Sequence, residues 1–317
     1  MTATEPRRSS TASTASTAVA EAPSAGQPAE AAAIAWSGQG GVRLWWFWDV
    51  PAFRRAFGLI LVLALSGFLL LPLLTLLLWA FADEWRYPAV LPQAYSLKWW
   101  DWVFHNGDVG SAVRYSFITA PVVTVLAAVI CLPAAYSFSR FTFPGRRALF
   151  ISLLAANAFP KIGLYVAIGT LFFRLGLMGT YWGVVLIQLV GTLVSMVWIP
   201  AAGFDSVARE LEEAARDAGA GPLRVFWRIT LPLAMPAIIV ASFLAFLAAF
   251  DEAQGTLVVG SPTIVTMPVL MYTLVVNYPE PVGAIFSILL SAPSVILLLI
   301  ARRFLLAGYL AAGFRGR

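Results

Sequence analysis

The apolar positions of this chain neither alternate nor keep to one helical face. They run on for about 20 residues at a time, the length a helix needs to cross the hydrocarbon core of a bilayer. Such runs occur at 57–81, 112–138, 147–174, 181–203, 232–255 and 281–306. The pattern predicts an all-α, polytopic membrane protein with six transmembrane helices in one domain over 57–312. Several runs contain proline, at Pro121, Pro133, Pro160, Pro200, Pro236 and Pro293. Soluble helices would break there, whereas neighbours in a membrane bundle can satisfy the freed carbonyls. Pro160 and Lys161 interrupt the third run midway, which gives it the weakest signal of the set.

Two polar stretches precede the first run. Residues 1–36 are rich in Ser, Thr, Ala and Pro and include the repeat STASTASTA. Nothing there can bury a core, so the stretch reads as a disordered tail, and it lacks the ordered apolar and cleavage regions of a secretory signal. Residues 37–56 bring Trp45, Trp46 and Trp48 close to Arg43, Arg54 and Arg55. Aromatic rings flanked by cations favour the membrane–water boundary and predict an interfacial segment.

Composition agrees with a lipid environment. Of 317 residues, 60% are hydrophobic and 12% charged, about half the charged fraction of soluble domains. The net charge of +5 raises the question of nucleic acid, and the placement of the cations answers it. With the N-terminus cytoplasmic, one face receives Arg54 and Arg55, then Arg140, Arg146 and Arg147, then Arg209, Arg216, Arg224 and Arg228, then Arg302 and Arg303. The other keeps Arg86, Lys98, Arg114 and Arg174. This asymmetry is the positive-inside signature, and it predicts an inner-membrane protein with both termini cytoplasmic. Cations spread over loop edges form no stripe or motif, which excludes nucleic acid as a partner. The lone Cys131 excludes a disulfide framework and a cysteine-based zinc site, and no other metal set stands out.

One cytoplasmic loop, 204–232, stands apart from the spans. Leu211, Ala214, Ala215 and Ala218 fall at helical spacing and predict a short helix with a face of small side chains. Ser206 can cap its start, Gly219 suits a left-handed C-terminal position, and Pro222 prevents continuation. Glu212 and Arg216 then sit one turn apart on the outer side. By itself the loop fits either a helix lying on lipid or one docking against a partner.

The spacing of this loop resembles a known family. Glu213-Ala214-Ala215, Gly219, Ile229 and Leu231-Pro232 fill every fixed position of the EAA loop of binding-protein-dependent ABC importer permeases. The resemblance covers about 57–312 and implies a type I-like importer permease fold. It implies that Glu213, Ala214, Ala215, Gly219, Ile229, Leu231 and Pro232 form the element that couples to an ATPase. It also implies the partners: two ATPase subunits, a second, homologous permease and an extracytoplasmic substrate-binding protein. The chain has no GxxxxGK[ST] loop to cradle phosphates. It is therefore expected to bind no cofactor and catalyse nothing, with ATP and Mg held by the partner ATPase.

Within that family, FLAFLAAFDEAQGTLVVGSPTIVTMPVLMYTLV resembles the spermidine/putrescine permease branch, so a polyamine is the expected substrate. The branch resemblance leaves aminoethylphosphonate, iron and thiamine open, and a sugar remains an alternative within the importer class. Three charges lie within or beside the spans. Counting about 1.5 Å per residue, Asp251 and Glu252 lie about 30 Å along the fifth span and Lys161 about 20 Å along the third. Charges at such depth face a partner or an aqueous path. Lys161, Asp251 and Glu252 are thus either a structural ion pair or candidates for the substrate path. An ion-coupled secondary transporter could use the same charges, but it typically shows two related halves and does not account for the loop. An intramembrane Ser–His enzyme is excluded, because His105 lies outside the spans.

Overall fold

The computed structural model describes residues 51–313. The tail read at 1–36 and the interfacial segment up to residue 50 lie outside the described residues. The chain forms two compact units, 1–69 and 70–317. Helix α1 (Pro51–Phe81) supplies the described part of the first unit and continues into the second.

The second unit is helical apart from a small hairpin, β1 (Ala82–Glu84) against β2 (Ala94–Tyr95). There follow α2 (Lys98–His105), α3 (Gly107–Arg140), α4 (Arg146–Ala155), α5 (Lys161–Arg174), α6 (Tyr181–Asp205) and α7 (Arg209–Asp217). A short α8 (Pro222–Val225) leads through a π-helical turn, Phe226–Thr230, into α9 (Leu231–Phe250). The chain ends with α10 (Gln254–Val259), α11 (Met267–Asn277) and α12 (Glu280–Gly313).

Among the described residues, five helical segments are long and apolar enough to span a bilayer. They are Arg55–Phe81, Gly107–Arg140, Tyr181–Asp205, Pro222–Phe250 and Glu280–Ile300. Pro121, Pro133, Pro200, Pro236 and Pro293 all lie inside continuous helices, as the membrane reading requires. The third apolar run folds in two pieces, α4 and α5, joined by a tight turn at Ala156–Ala158. Pro160 accounts for the break, since the residue before a proline is driven out of the helical region, and Phe159 is extended at φ −77°, ψ 143°. The run nevertheless crosses the bundle. The C-terminal ends of α3 and α6 lie together, where Arg140 meets Val207. Their first turns also lie together, where Tyr181 shares a cleft with Gly110, Ser111 and Arg114. The chain between them therefore traverses the full length once.

Helices α3, α6 and α9 form the centre of the unit, with α9 antiparallel to the other two. Their contact faces carry mostly small residues at spacings of three and four: Ala120, Val123, Ala127, Cys131 and Ala135 on α3, and Ala234, Ile238, Ala241, Ala245 and Ala249 on α9. Small side chains let backbones approach closely in a medium where lipid supplies no hydrophobic drive between helices. Larger groups from α6, among them Val185, Leu189, Met196 and Val197, pack into the same cluster. At one end of the bundle Trp100 Nε1 donates to the Ala80 carbonyl at 2.7 Å, and the Met267 N–H donates to Ser116 Oγ at 2.8 Å. The loop 204–232 lies at the other end.

Candidate functional site

The loop begins where α6 stops. Ser206 does not cap the next helix as expected; its hydroxyl donates back to the Gly203 carbonyl at 2.7 Å and finishes α6. Helix α7 starts at Arg209 without a side-chain cap. Its C-terminus follows the sequence closely. Gly219 has φ +86°, the Gly219 N–H reaches the Arg216 carbonyl, and the Ala220 N–H reaches that of Ala215, both at 2.9 Å. These paired bonds are a Schellman closure, which needs a left-handed residue at this position. Pro222 then opens α8 at its first turn, where a missing N–H costs nothing.

The faces of α7 are arranged differently from the sequence reading. Glu212 is not on the outer side: it is 3% exposed and is the one buried residue of α7. Leu211, Glu213, Ala214 and Ala218 are exposed and Ala215 is half-buried, so the face of small side chains points away from the bundle. The inner face is set by a charge. Glu212 Oε1 accepts from Arg140 Nε at 3.1 Å, from Arg140 Nη2 at 2.8 Å and from Thr230 Oγ1 at 2.7 Å. Its Oε2 faces Arg216 Nη2 at 3.6 Å. Arg140 Nη2 also donates to the Val207 carbonyl at 3.0 Å. Beside this group, Ser139 Oγ donates to Asp205 Oδ1 at 2.6 Å. A buried carboxylate is tolerable only when it is paired, and Glu212 is paired at both oxygens, through three hydrogen bonds at Oε1 and the Arg216 guanidinium beside Oε2.

Thr230 reaches Glu212 because the helix is widened just before α9. The Leu231 N–H bonds to the Phe226 carbonyl five residues back. Pro232 has no N–H for the Arg228 carbonyl and its ring would crowd it, and a π turn relieves that crowding. Of the other residues at the fixed positions, Ile229 and Leu231 are half-buried and Pro232 is exposed. The structure thus brings 209–219 and 226–232 to one end of the bundle, where Arg140 of α3 joins them.

The second set of residues comes apart. Lys161 begins α5 and is exposed, and Asp251 is exposed at the end of α9 away from Thr230. Among the described residues Lys161 pairs with neither Asp251 nor Glu252, so the ion-pair alternative is not formed. Glu252 is 9% exposed and turned inward. Its Oε1 accepts the Gly255 N–H at 2.7 Å; its Oε2 accepts the Thr256 N–H and the Thr256 hydroxyl, each at 2.9 Å. Gln188 Nε2 in turn donates to Thr256 Oγ1 at 2.9 Å. Glu252 therefore caps α10 and, through Thr256, ties it to α6. Among the described residues no cluster of His, Cys, Asp or Glu has the makings of a metal site.

Sequence reasoning passed over Thr230, Gln188 and Thr256, counted Arg140 only among the cytoplasmic cations, and placed Glu212 on the outer side of its helix. Gln188, a lone amide inside an apolar run, was a visible signal. So was Arg140, a cation at the end of another run. Nothing local marked Glu212 or Thr230, since their roles depend on a partner 72 positions away in one case and 18 in the other.

Comparison with known proteins places this geometry in context. The family model for the binding-protein-dependent transport system inner membrane component matches residues 50–310. The maltodextrin transport system permease protein MdxG of Bacillus subtilis (strain 168) is 32% identical over 205 residues, which are 63% of this chain and 74% of that protein. The trehalose transport system permease protein SugB of Mycobacterium tuberculosis (strain CDC 1551 / Oshkosh) is 27% identical over 274 residues, 83% of this chain and 98% of that one. Among solved structures, a chain of a bacterial alginate ABC transporter in complex with an alginate pentasaccharide-bound periplasmic protein is similar in fold. Its TM-score is 0.57 at 17% identity, covering 82% of this chain and 96% of that one.

Proposed function

The chain belongs to the binding-protein-dependent transport system inner membrane components, and on that premise we propose that it is the permease subunit of an ATP-driven sugar importer. As a member of that family it is a multi-pass inner-membrane transport subunit and not an enzyme. The sugar assignment is supported by the maltodextrin and trehalose permeases it resembles. It replaces the polyamine expectation, which came from the branch resemblance and which acidic groups near the far end of α9 would suit. Of those, Glu252 already has both oxygens occupied by α10, which leaves Asp251 as a single exposed carboxylate. A neutral oligosaccharide needs no such charge.

The single observation that carries the coupling role is the orientation of α7. Its inner side is fastened through Glu212, while Leu211, Glu213, Ala214 and Ala218 face outward beside the closure at Gly219. An exposed face that carries Ala214 and Ala218 beside the Glu213 carboxylate is suited to sit in a groove of a partner ATPase. Ile229, Leu231 and Pro232 then carry the connection into α9. Two ATPase subunits with ATP and Mg, a second permease and an external binding protein complete the transporter. Both termini are cytoplasmic in this proposal.

The test is uptake of labelled trehalose, maltotriose and spermidine by cells carrying the complete transporter, with and without its ATPase. Uptake of either sugar that stops when the ATPase is removed supports the proposal. Uptake confined to spermidine would return the substrate to the polyamines, and uptake that persists without the ATPase would remove the importer class.

A further inference from the structure

We infer that Glu212, Arg140 and Thr230 form a fixed joint through which movement of the outward-facing helix α7 is delivered to the spans α3 and α9. The inference rests on the importer reading above and assigns a role to residues outside the docking motif itself.

Three observations carry it. First, α7 has a single buried side chain, Glu212, so its hold on the bundle is concentrated in one carboxylate. Second, that carboxylate is gripped by two different spans at once. Arg140 ends α3 and Thr230 immediately precedes α9, and both bond the same oxygen, Oε1. Third, the Arg140 guanidinium brackets the loop, holding the Val207 carbonyl before α7 and Glu212 within it. Arg140 and Glu212 are 7% and 3% exposed at the side chain, so water does not compete for these bonds.

Stability does not explain such an arrangement. Replacing a buried ion pair with apolar residues of similar volume is often neutral or favourable. What a planar guanidinium with several directed donors supplies is a defined orientation. Apolar contacts slide at little cost, and a docking helix that slid over the bundle would move without displacing the spans. The bonds to Glu212 resist displacement both along and across α7. The same joint constrains α3 and α9 to move together, because each loses its bond if the other shifts alone. Arg140, Glu212 and Thr230 are therefore positioning residues for coupling, while Glu213 faces the ATPase.

The experiment compares three forms of the complete complex with wild type: Arg140→Met with Glu212→Met, Thr230→Val, and Glu213→Lys. Co-purification of the ATPase reports assembly, and sugar transported per ATP hydrolysed reports coupling. The double methionine form leaves no buried charge unpaired, since Arg216, which also faces Glu212, is 51% exposed, and it is expected to assemble as wild type. Its sugar transported per ATP should fall about tenfold, within the usual range of coupling effects. Thr230→Val keeps shape and removes one bond, and should lower the same ratio by a smaller factor with assembly intact. A wild-type ratio in the double methionine form overturns the joint. If that form fails to assemble, Thr230→Val decides: a reduced ratio supports the joint and an unchanged one overturns it. Glu213→Lys separates the two levels, because wild-type uptake by that form overturns the docking reading and the joint with it. Lost uptake in Glu213→Lys beside normal uptake in the other two forms overturns the joint alone.

Discussion

Glu212 and Glu213 are adjacent carboxylates, one buried against the bundle and the other exposed. Glu212 turns into the bundle, where Arg140 Nη2 lies 2.8 Å from its Oε1, and Glu213 is exposed. Successive side chains on a helix are turned about 100° from one another, so one residue can fasten α7 to its own bundle while its neighbour is offered to a partner. Substitutions at these two positions should consequently fail in different ways.

Glu213→Lys should leave the chain in the membrane at its normal level and abolish ATP-dependent sugar uptake. An exposed substitution of this kind changes stability by no more than about 0.5 kcal/mol, so the defect belongs to docking. Quantifying membrane-inserted protein beside labelled trehalose uptake checks this, and normal uptake refutes the docking role of α7.

Gly219→Ala should destabilise the end of α7 by about 1–2 kcal/mol, the usual cost of a left-handed conformation for a residue with a Cβ. The position has φ +86° and nothing within 4 Å of an added Cβ, so the penalty is conformational and not steric. Gly219→Asn should cost less, because asparagine tolerates this region. Hydrogen exchange at the Gly219 and Ala220 amides, which close the turn, is the direct measure.

Glu252→Ala should free the buried Gly255 and Thr256 amides, at about 1–3 kcal/mol for groups left unsatisfied, while the Thr256 hydroxyl keeps the Glu252 backbone carbonyl. Glu252→Gln retains an acceptor and should be milder. If Glu252 is a cap and not a substrate ligand, the glutamine form keeps the wild-type apparent KM for sugar. A large rise in KM with the fold intact would put Glu252 back on the substrate path. Asp251→Asn should leave sugar uptake unchanged in the same assay.

Gly203→Leu should force α6 from α9 near the loop. An added Cβ at Gly203 meets the Cβ of Ala237, and overpacking of a close helix contact costs about 1–3 kcal/mol. Because Asp205 and Val207 follow directly, the Arg140–Val207 bond should be disturbed as well. Reduced thermal stability of the purified protein, with loss of ATPase co-purification, is the expected result.

The sequence by itself determined the features that depend on local, additive properties. Sustained apolarity over a span's length has one stable outcome in lipid, a helix with its backbone bonds closed internally, and the long helices appear where the runs predict them. The break at Pro160 follows from the stereochemistry of a single residue and its predecessor. The left-handed turn at Gly219 and the new helix at Pro222 follow from two side chains with restricted options. Ser206 was misread because its hydroxyl could serve either of two helix ends, and the end of α6 took it. Tertiary structure decided everything that turns on which face of an element meets another. The phase of α7 was legible, but whether Leu211 or Glu212 pointed inward depended on Arg140, brought in by a separate helix. Glu252 likewise looked like a free intramembrane charge until α10 folded back over it and Gln188 reached Thr256 from α6. A buried charge takes its role from partners within about 3 Å, and for Arg140 with Glu212, and Gln188 with Thr256, those partners lie dozens of positions apart.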